Sequence, residues 1–403
     1  MSVDQKFIHV PYGKSVHGEE EIEAVVNVLR TSTMMGKHVR EMEERVAKLY
    51  AKNYGIMVNS GSTALYLAAD LLDYEAGAEI ITPVLTFSTT VAPLVKKGWV
   101  PAFVDVEPGT YNIDANKVEE LITPKTKAMF IPNLIGNLPD WKKLREIADK
   151  HGLFVLEDSA DTLGAEIDGA SSGRFTDMST TSFYGSHVIN CAGNGGMICV
   201  NNEEHFNRAK LLRSWGRSSS LFLESEKIEN RFNVEVDGIP YDAKFVFEEP
   251  GYNVEPSEMG AAFGLVQLKK LGANIDTREA NYNLMRSFFE KYEEFFILPQ
   301  QLPNSRTGWL AFAVTVKDNA PFLRRDLQIF LEKRNIMTRT IFTGNILRQP
   351  GFKNIACKRV DEYAEADRVM RGGMLLACHQ GLSQEQIDHV KESIDIFMRQ
   401  FTQ

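Results

Sequence analysis

Hydrophobic and polar positions along this chain repeat with two periods, and the alternation between them marks out its elements. Over residues 19–30 the apolar side chains Ile22, Val25, Val26 and Leu29 recur at helical spacing, which predicts an amphipathic helix with those four on one face. Residues 39–50, with Met42, Val46 and Leu49, predict a second. Short apolar runs then take over at 54–58, 79–83, 102–106, 128–132 and 154–157. Helix-like segments separate them at 65–72, 91–97, 115–122 and 140–151. This strand–helix rhythm predicts an α/β fold with a mostly parallel sheet covered by helices on both faces, whose ligand lies at the C-terminal ends of the strands.

Beyond a strand at 197–200 and a helix at 203–213 the chain becomes turn-rich at 214–220. Apolar alternation over 233–247 about Asp237-Gly238 predicts a hairpin, with Pro240 on an edge strand. A helix over 257–271 follows, with Ser257 as its N-cap. From about residue 274 the pattern changes to helix 276–292, strand 310–316, helix 321–334, strand 337–342 and helix 383–397, an α+β unit. We therefore divide the chain into a large domain, 1–265, and a smaller C-terminal one, 266–403.

Composition narrows the partners. A charged share of 25% with a net charge of −9 argues against nucleic-acid or anionic-membrane binding and favours a small-molecule substrate. No apolar run reaches the roughly eighteen residues of a membrane span, and Met1–Lys6 is not followed by a signal-type apolar core, so a cytoplasmic protein is expected. The four cysteines, Cys191, Cys199, Cys357 and Cys378, form neither C-x-x-C nor C-x-C pairs, so no metal or iron–sulfur site is expected.

Candidate chemistry collects where strands end. Asn59-Ser60-Gly61-Ser62-Thr63-Ala64-Leu65 joins a strand to a helix start, where unpaired N–H groups and the helix dipole suit a phosphate on Gly61, Ser62 and Thr63, or where Ser and Thr simply cap the helix. Glu157-Asp158 closes another strand. Asp158 can hold a pyridinium nitrogen protonated or serve as a helix cap. Phe87 can stack on a planar ring or pack in the core. The segment 182–196, Ser-Phe-Tyr-Gly-Ser-His-Val-Ile-Asn-Cys-Ala-Gly-Asn-Gly-Gly, presents one nitrogen side chain, His187, between a Ser-Phe pair and a Gly-Gly.

In this order, together with Gly251-Tyr252-Asn253, these motifs resemble the DegT/DnrJ/EryC1/StrS family of nucleotide-sugar enzymes over nearly the whole chain. The resemblance implies a fold type I, aspartate-aminotransferase-like architecture and a pyridoxal 5'-phosphate or pyridoxamine 5'-phosphate cofactor. It implies that Gly61, Ser62 and Ser182, with Thr63 beside them, hold the cofactor phosphate, that Phe87 stacks on the ring and that Asp158 pairs with its nitrogen. Asp161 stands where the family carries glutamine or glutamate near the ring hydroxyl. Asn253 matches an asparagine that reaches the other subunit's cofactor, so a homodimer with shared sites is implied.

His187 stands where the aminotransferases carry lysine. Histidine cannot form lysine's covalent bond to the cofactor but can act as the base. The histidine resembles the family's branch of 3-dehydratases acting on 4-keto-6-deoxy nucleotide sugars, as do 250–256, Arg339, Thr343-Gly344-Asn345 and Cys378-His379-Gln380. The serines after Trp215-Gly216-Arg217, where one subtype clusters its cysteines, imply the subtype without an iron–sulfur cluster, with GDP-4-keto-6-deoxy-D-mannose as substrate and L-glutamate restoring the amine. Arg339 is expected at the substrate diphosphate and His379 at the substrate. An aminotransferase using a lysine from elsewhere, and a non-catalytic family member, stay open.

Overall fold

The computed structural model describes residues 7–402 except 223, 225 and 361; the start of the chain, with its expected lack of a leader, lies outside them. A seven-stranded sheet forms the centre. Its strands in chain order are β1 (Tyr54–Val58), β2 (Glu79–Pro83), β3 (Val100–Val104), β4 (Thr126–Pro132), β5 (Phe154–Ser159), β6 (Met178–Ser182) and β7 (Gly196–Val200). They lie in the order β1-β7-β6-β5-β4-β2-β3, and β7 alone runs against its neighbours.

The apolar runs are unbroken because both faces are covered. Ile56, Val58, Ile80, Phe130, Leu156 and Ile198 point into one core beneath helices Gly61–Asp70 and Glu203–Arg213. The residues between them turn the other way, Ile81, Met129 and Val155 into a second core and Met57 and Met197 into a third. A period of two is thus hidden inside a continuous hydrophobic stretch. A second sheet of four strands carries the C-terminal part, with β8 (Phe296–Ile297), β9 (Phe312–Val316), β10 (Arg339–Thr340) and β11 (Gly373–Leu376) in the order β8-β9-β11-β10. Its aromatic core, including Phe289, Phe312 and Phe322, also takes in Val10 from the other end of the chain. Val10 N donates to Asn335 O at 2.9 Å and Met337 N to Val10 O at 2.9 Å, so the N-terminal segment is stitched to the C-terminal sheet region.

Several expectations need correction. The first helix forms over Glu19–Thr31, but it buries Glu21 and Val28, while Ile22 and Leu29 stay 45% and 59% exposed. The reason is polar: the Glu21 carboxylate accepts from Gln267 Nε2 at 2.7 Å and Lys270 Nζ at 2.6 Å on the helix Glu258–Lys269 and its C-terminus, which rotates the apolar stripe outward. Residues 115–122 form two 3₁₀ turns, not an α-helix. Asp114 accepts from Asn116 N there, and Pro124 follows closely, so no α-helical ladder is propagated. The expected strand 337–342 pairs only over Arg339–Thr340, because Phe342 takes φ +40° and turns the chain away. Strand β11 and the helix Ala364–Gly372 were not predicted. The hairpin forms as expected, with Asp237 and Gly238 both at positive φ between Val234–Val236 and Ile239–Tyr241.

Close backbone approaches set the sheet's edge. A Cβ on Gly196 would lie 2.2 Å from Ser60 O, where β7 passes the cap of the helix Gly61–Asp70. Gly196→Ala is therefore expected to destabilise the fold by about 1–3 kcal/mol, seen as a lower thermal unfolding midpoint. A midpoint unchanged from wild type would show that this crossing relaxes freely.

Candidate active site

Three strand ends and two helix starts converge on a cavity of about 410 Å³. One wall is the turn after β1. Ser60 caps the helix Gly61–Asp70, its Oγ accepting from Thr63 N at 3.1 Å and lying 2.9 Å from Thr63 Oγ1. Thr63 is thereby committed to the cap and does not line the cavity, whereas Ser60, Gly61 and Ser62 do. A Cβ on Gly61 would stand 2.5 Å from Ser182 Cβ, so only glycine lets the helix start meet the end of β6. The helix start, with Ser62 on it and Ser182 brought against Gly61, is a place that suits an anion.

The floor is the end of β5. Adjacent carboxylates part company there because a strand alternates its faces. Glu157 is fully buried on the far side, accepting from Asn133 Nδ2 (2.7 Å), Ser159 Oγ (2.9 Å), Ser172 Oγ (2.5 Å) and Ser179 Oγ (2.8 Å). Asp158 faces the cavity and accepts from Thr90 Oγ1 at 2.7 Å and Ala160 N at 3.2 Å. Burial pushes its carboxyl above the ordinary value against those two hydrogen bonds. Asp161, one turn on, accepts from Ile135 N at 2.8 Å, and burial pushes it up to about 7. Ile135 adopts φ +63°, a strained conformation for a β-branched residue, to aim that N–H.

Phe87 stands at the start of the helix Ser88–Lys96, half exposed into the cavity and edge-on to Phe342 at 5.9 Å. Thr90 and Thr89 come from the same first turn; Thr89 Oγ1 accepts from Ser62 Oγ at 3.1 Å. These two threonines, and Tyr12, Tyr184 and Asn194, also line the cavity, and the sequence alone did not single them out as site residues.

The loop between β6 and β7 brings in His187. Its base is closed by Phe183 N to Gly195 O (2.9 Å), Gly185 N to Gly193 O (3.0 Å) and Cys191 N to Phe183 O (3.1 Å). His187 Nδ1 lies 3.3 Å from Ser182 O, and since a carbonyl only accepts, Nδ1 carries the hydrogen and Nε2 keeps its lone pair. Burial first, then the Arg278 cation, lowers the imidazole to about 4 against that hydrogen bond, so the ring is neutral at neutral pH. Arg278 itself is fully buried; its NH2 donates to Ser186 O (3.3 Å) and His187 O (3.1 Å).

Three candidates lie elsewhere. His379 is buried behind the N-terminal segment, with Nε2 3.1 Å from Pro11 O and Nδ1 accepting from Gly381 N at 3.2 Å; both nitrogens are engaged and it does not reach the cavity. Arg339 lies outside the cavity on edge strand β10, its guanidinium 5.3 Å over the ring of Tyr12 and donating to Thr338 O at 2.7 Å. Asn253 is exposed, bridged to Ser214, and outside its own chain's cavity. Among the described residues no lysine lines the cavity, and no group of three or more His, Cys, Asp or Glu side chains is placed to hold a metal. Buried Lys52 spends its Nζ on Gly173 O (2.6 Å) and Thr176 O (2.5 Å). No helix among the described residues is long and apolar enough to cross a membrane.

The family model described as DegT/DnrJ/EryC1/StrS aminotransferase matches residues 15–395. The GDP-4-keto-6-deoxy-D-mannose 3-dehydratase of Yersinia pseudotuberculosis is 32% identical, over 95% of this chain and 97% of that protein. The dTDP-4-dehydro-2,6-dideoxy-D-glucose 3-dehydratase of Saccharopolyspora spinosa is 33% identical, over 96% of this chain and 86% of that one. A crystal structure of a GDP-4-keto-6-deoxymannose-3-dehydratase with a trapped PLP–glutamate geminal diamine superposes with a TM-score of 0.85 at 28% identity, covering 96% and 100% of the two chains.

The two low imidazoles make the protein acid-sensitive. His379 is lowered to about 4, mainly by burial, against an ordinary value of 6.5. Between those pH values the unfolded chain binds a proton that the folded one refuses, so stability falls as pH drops from 6.5 towards 4. His379→Gln is expected to flatten that slope in denaturant titrations across this range. An identical slope in variant and wild type would show that His379 titrates normally.

Proposed function

The chain belongs to the DegT/DnrJ/EryC1/StrS aminotransferase family, and from this we propose that it is a 3-dehydratase that removes the C3 hydroxyl of a 4-keto-6-deoxy nucleotide sugar with pyridoxamine phosphate, which L-glutamate regenerates. The observation that carries the reading is a complete cofactor cradle whose one cavity-facing nitrogen base is a histidine, with no lysine lining it among the described residues. That separates it from an aminotransferase, which needs the covalent lysine. The intact cradle likewise speaks against a non-catalytic member. GDP-4-keto-6-deoxy-D-mannose is the substrate we favour, in line with the Yersinia relative; the Saccharopolyspora relative acts on a dTDP sugar.

The residues fit the cofactor. The Gly61–Ser62 helix start and Ser182 would hold its phosphate, Asp158 its ring nitrogen, Asp161 its ring hydroxyl, and Phe87 would cover a ring face. Bound there, the cofactor supplies an amine for the sugar's ketone and a ring that takes up electrons. Asp158, as a carboxylate paired with the ring nitrogen, keeps that nitrogen protonated. His187 offers a neutral Nε2 lone pair as the base, and afterwards carries the proton it has taken. Phe87 and Phe342 restrict water above the site.

We further propose that the enzyme is a homodimer in the cytoplasm, with Asn253 of each chain serving the other's cofactor phosphate. The support is that Asn253 lies exposed and away from its own cavity, while Ile22, Leu29, Met34, Trp215 and Tyr252 leave apolar surface uncovered. The division at 265/266 assigns the small sheet and its helices to a C-terminal lobe that closes the cavity with Leu310 and Phe342.

His187→Asn is expected to lower C3 deoxygenation of the keto sugar, assayed with pyridoxamine phosphate and glutamate, by about 100-fold or more. Retained dehydration would remove His187 as the base. Borohydride reduction followed by intact-mass measurement is expected to attach the cofactor to His187→Lys and not to wild type; trapping on wild type would favour the aminotransferase. Light scattering should give twice the 45.4 kDa chain mass. A monomeric mass would overturn the shared-site assignment.

A further inference from the structure

The N-terminal segment is a strap drawn tightly across the site. At one side Val10 pairs with the backbone of Asn335 and Met337, and Pro11 O meets His379 Nε2 at 3.1 Å. At the other, a Cβ on Gly13 would lie 2.6 Å from Ser186 Cβ, so the strap presses directly on the loop that carries His187. Ser15 Oγ then accepts from Asn190 Nδ2 at 3.1 Å on that same loop. Between these fixed points Tyr12 turns into the cavity.

Its surroundings leave one job undone. The Arg339 guanidinium lies 5.3 Å over the ring and adds a cation contact to its face. The phenols of Tyr50, Tyr111, Tyr292 and Tyr363 each have a protein hydrogen-bond partner, while that of Tyr282 is buried in the core without one. The Tyr12 hydroxyl has none among the described residues; the side chain packs against the core edge and lines the cavity close enough to Asp161 for its phenol to feel that charge. Burial, and after it the neighbouring Asp161, raises this phenol above its ordinary value, so it stays a donor. A rigidly stationed donor beside the His187 loop, left open towards the ligand space, is arranged for a ligand oxygen.

We propose that Tyr12 is a substrate-binding residue whose hydroxyl donates a hydrogen bond to an oxygen of the sugar ring of the bound nucleotide sugar. The sugar is the partner we assign, because the strap is fastened to the His187 loop and the C-terminal sheet region, while the Gly61–Ser62 part of the phosphate cradle starts the helix after β1. The assignment rests on the nucleotide-sugar reading above. It also gives Arg339 a definite part: the guanidinium acts on the ligand through the ring it steadies.

Tyr12→Phe keeps the ring and its cation contact and removes only the donor. Calorimetric binding of GDP-mannose, GDP and pyridoxamine phosphate to wild type and variant tests the proposal. GDP-mannose is expected to bind about 10-fold or more weakly to the variant. GDP alone and pyridoxamine phosphate are expected to bind both proteins alike. Equal GDP-mannose affinity overturns the contact; a parallel loss for GDP, or a loss for pyridoxamine phosphate, overturns its assignment to the sugar. Should wild type bind GDP-mannose yet fail to deoxygenate the keto sugar, the dehydratase reading falls while the comparison still decides Tyr12.

Discussion

A buried cation ties the loop that carries His187 to the C-terminal part of the molecule. Arg278 is completely enclosed, and among the described residues no carboxylate pairs with it. Its charge is met by oxygen dipoles: Ser186 O and His187 O on one side, Trp309 O at 2.8 Å and Leu310 O at 3.3 Å on another, and Gln380 Oε1 at 2.7 Å on a third. Burying an unpaired guanidinium is costly, and that cost is offset only while all these acceptors converge. The geometry is therefore all-or-none: if the loop moves, a buried charge loses two partners. Burial lowers Arg278 to about 10, which still leaves it charged at neutral pH. The same charge adds to burial in keeping His187 unprotonated, so one side chain positions the imidazole and contributes to its proton state.

Around this clamp the polar groups divide by strand geometry. Glu157 and Asp158 are neighbours in sequence with the same chemistry, yet they end on opposite faces of β5. Glu157 is surrounded by four donors, which stabilise a buried charge and join β4, β5 and β6 into one hydrogen-bonded unit. Asp158 has two donors and an open side. Its raised affinity for a proton reflects that incomplete solvation, and a positively charged ring nitrogen is the group that would complete it. The carboxylate with unfinished coordination is the one left open to a ligand.

What the sequence revealed and what it withheld follow one rule. Features set by neighbours in the chain were legible: the Ser60–Gly61–Ser62 helix start, the carboxylate where β5 stops, the histidine between Ser182 and Gly196. Features set by partners far away in the chain were not. Thr90 gains its meaning from Asp158, Tyr12 from Arg339 and Ser186, and Arg278 from carbonyls about ninety residues earlier and thirty later. The first helix shows the same limit, since its period was right but the buried side was decided by Gln267 and Lys270 rather than by its own apolar stripe. His379 was drawn to notice by a motif resemblance, and its real partner, Pro11 O, lies at the other end of the chain. Asn253, exposed in a single chain, would likewise take its meaning from a second one.

Exchanging lysine for histidine at position 187 changes what the remaining cradle must do. A covalent bond would keep the cofactor in place however loose the phosphate turn; without it, retention depends entirely on non-covalent contacts. The close approaches at Gly61 and Gly196 then matter beyond packing, because they bring a helix N-terminus, Ser62 and Ser182 to one point with no freedom to spread. Asp158 adds a charge interaction in a site where little water competes. Histidine suits this arrangement in a way lysine does not. Its neutral Nε2 is open to a proton handed over by a ligand while Nδ1–H stays anchored on Ser182 O, so the imidazole can cycle without the loop moving. A rigid base and a non-covalently held amine cofactor thus require each other. The Arg278 clamp supplies the first, the Gly61–Ser182 junction the second, and the β6–β7 loop joins them.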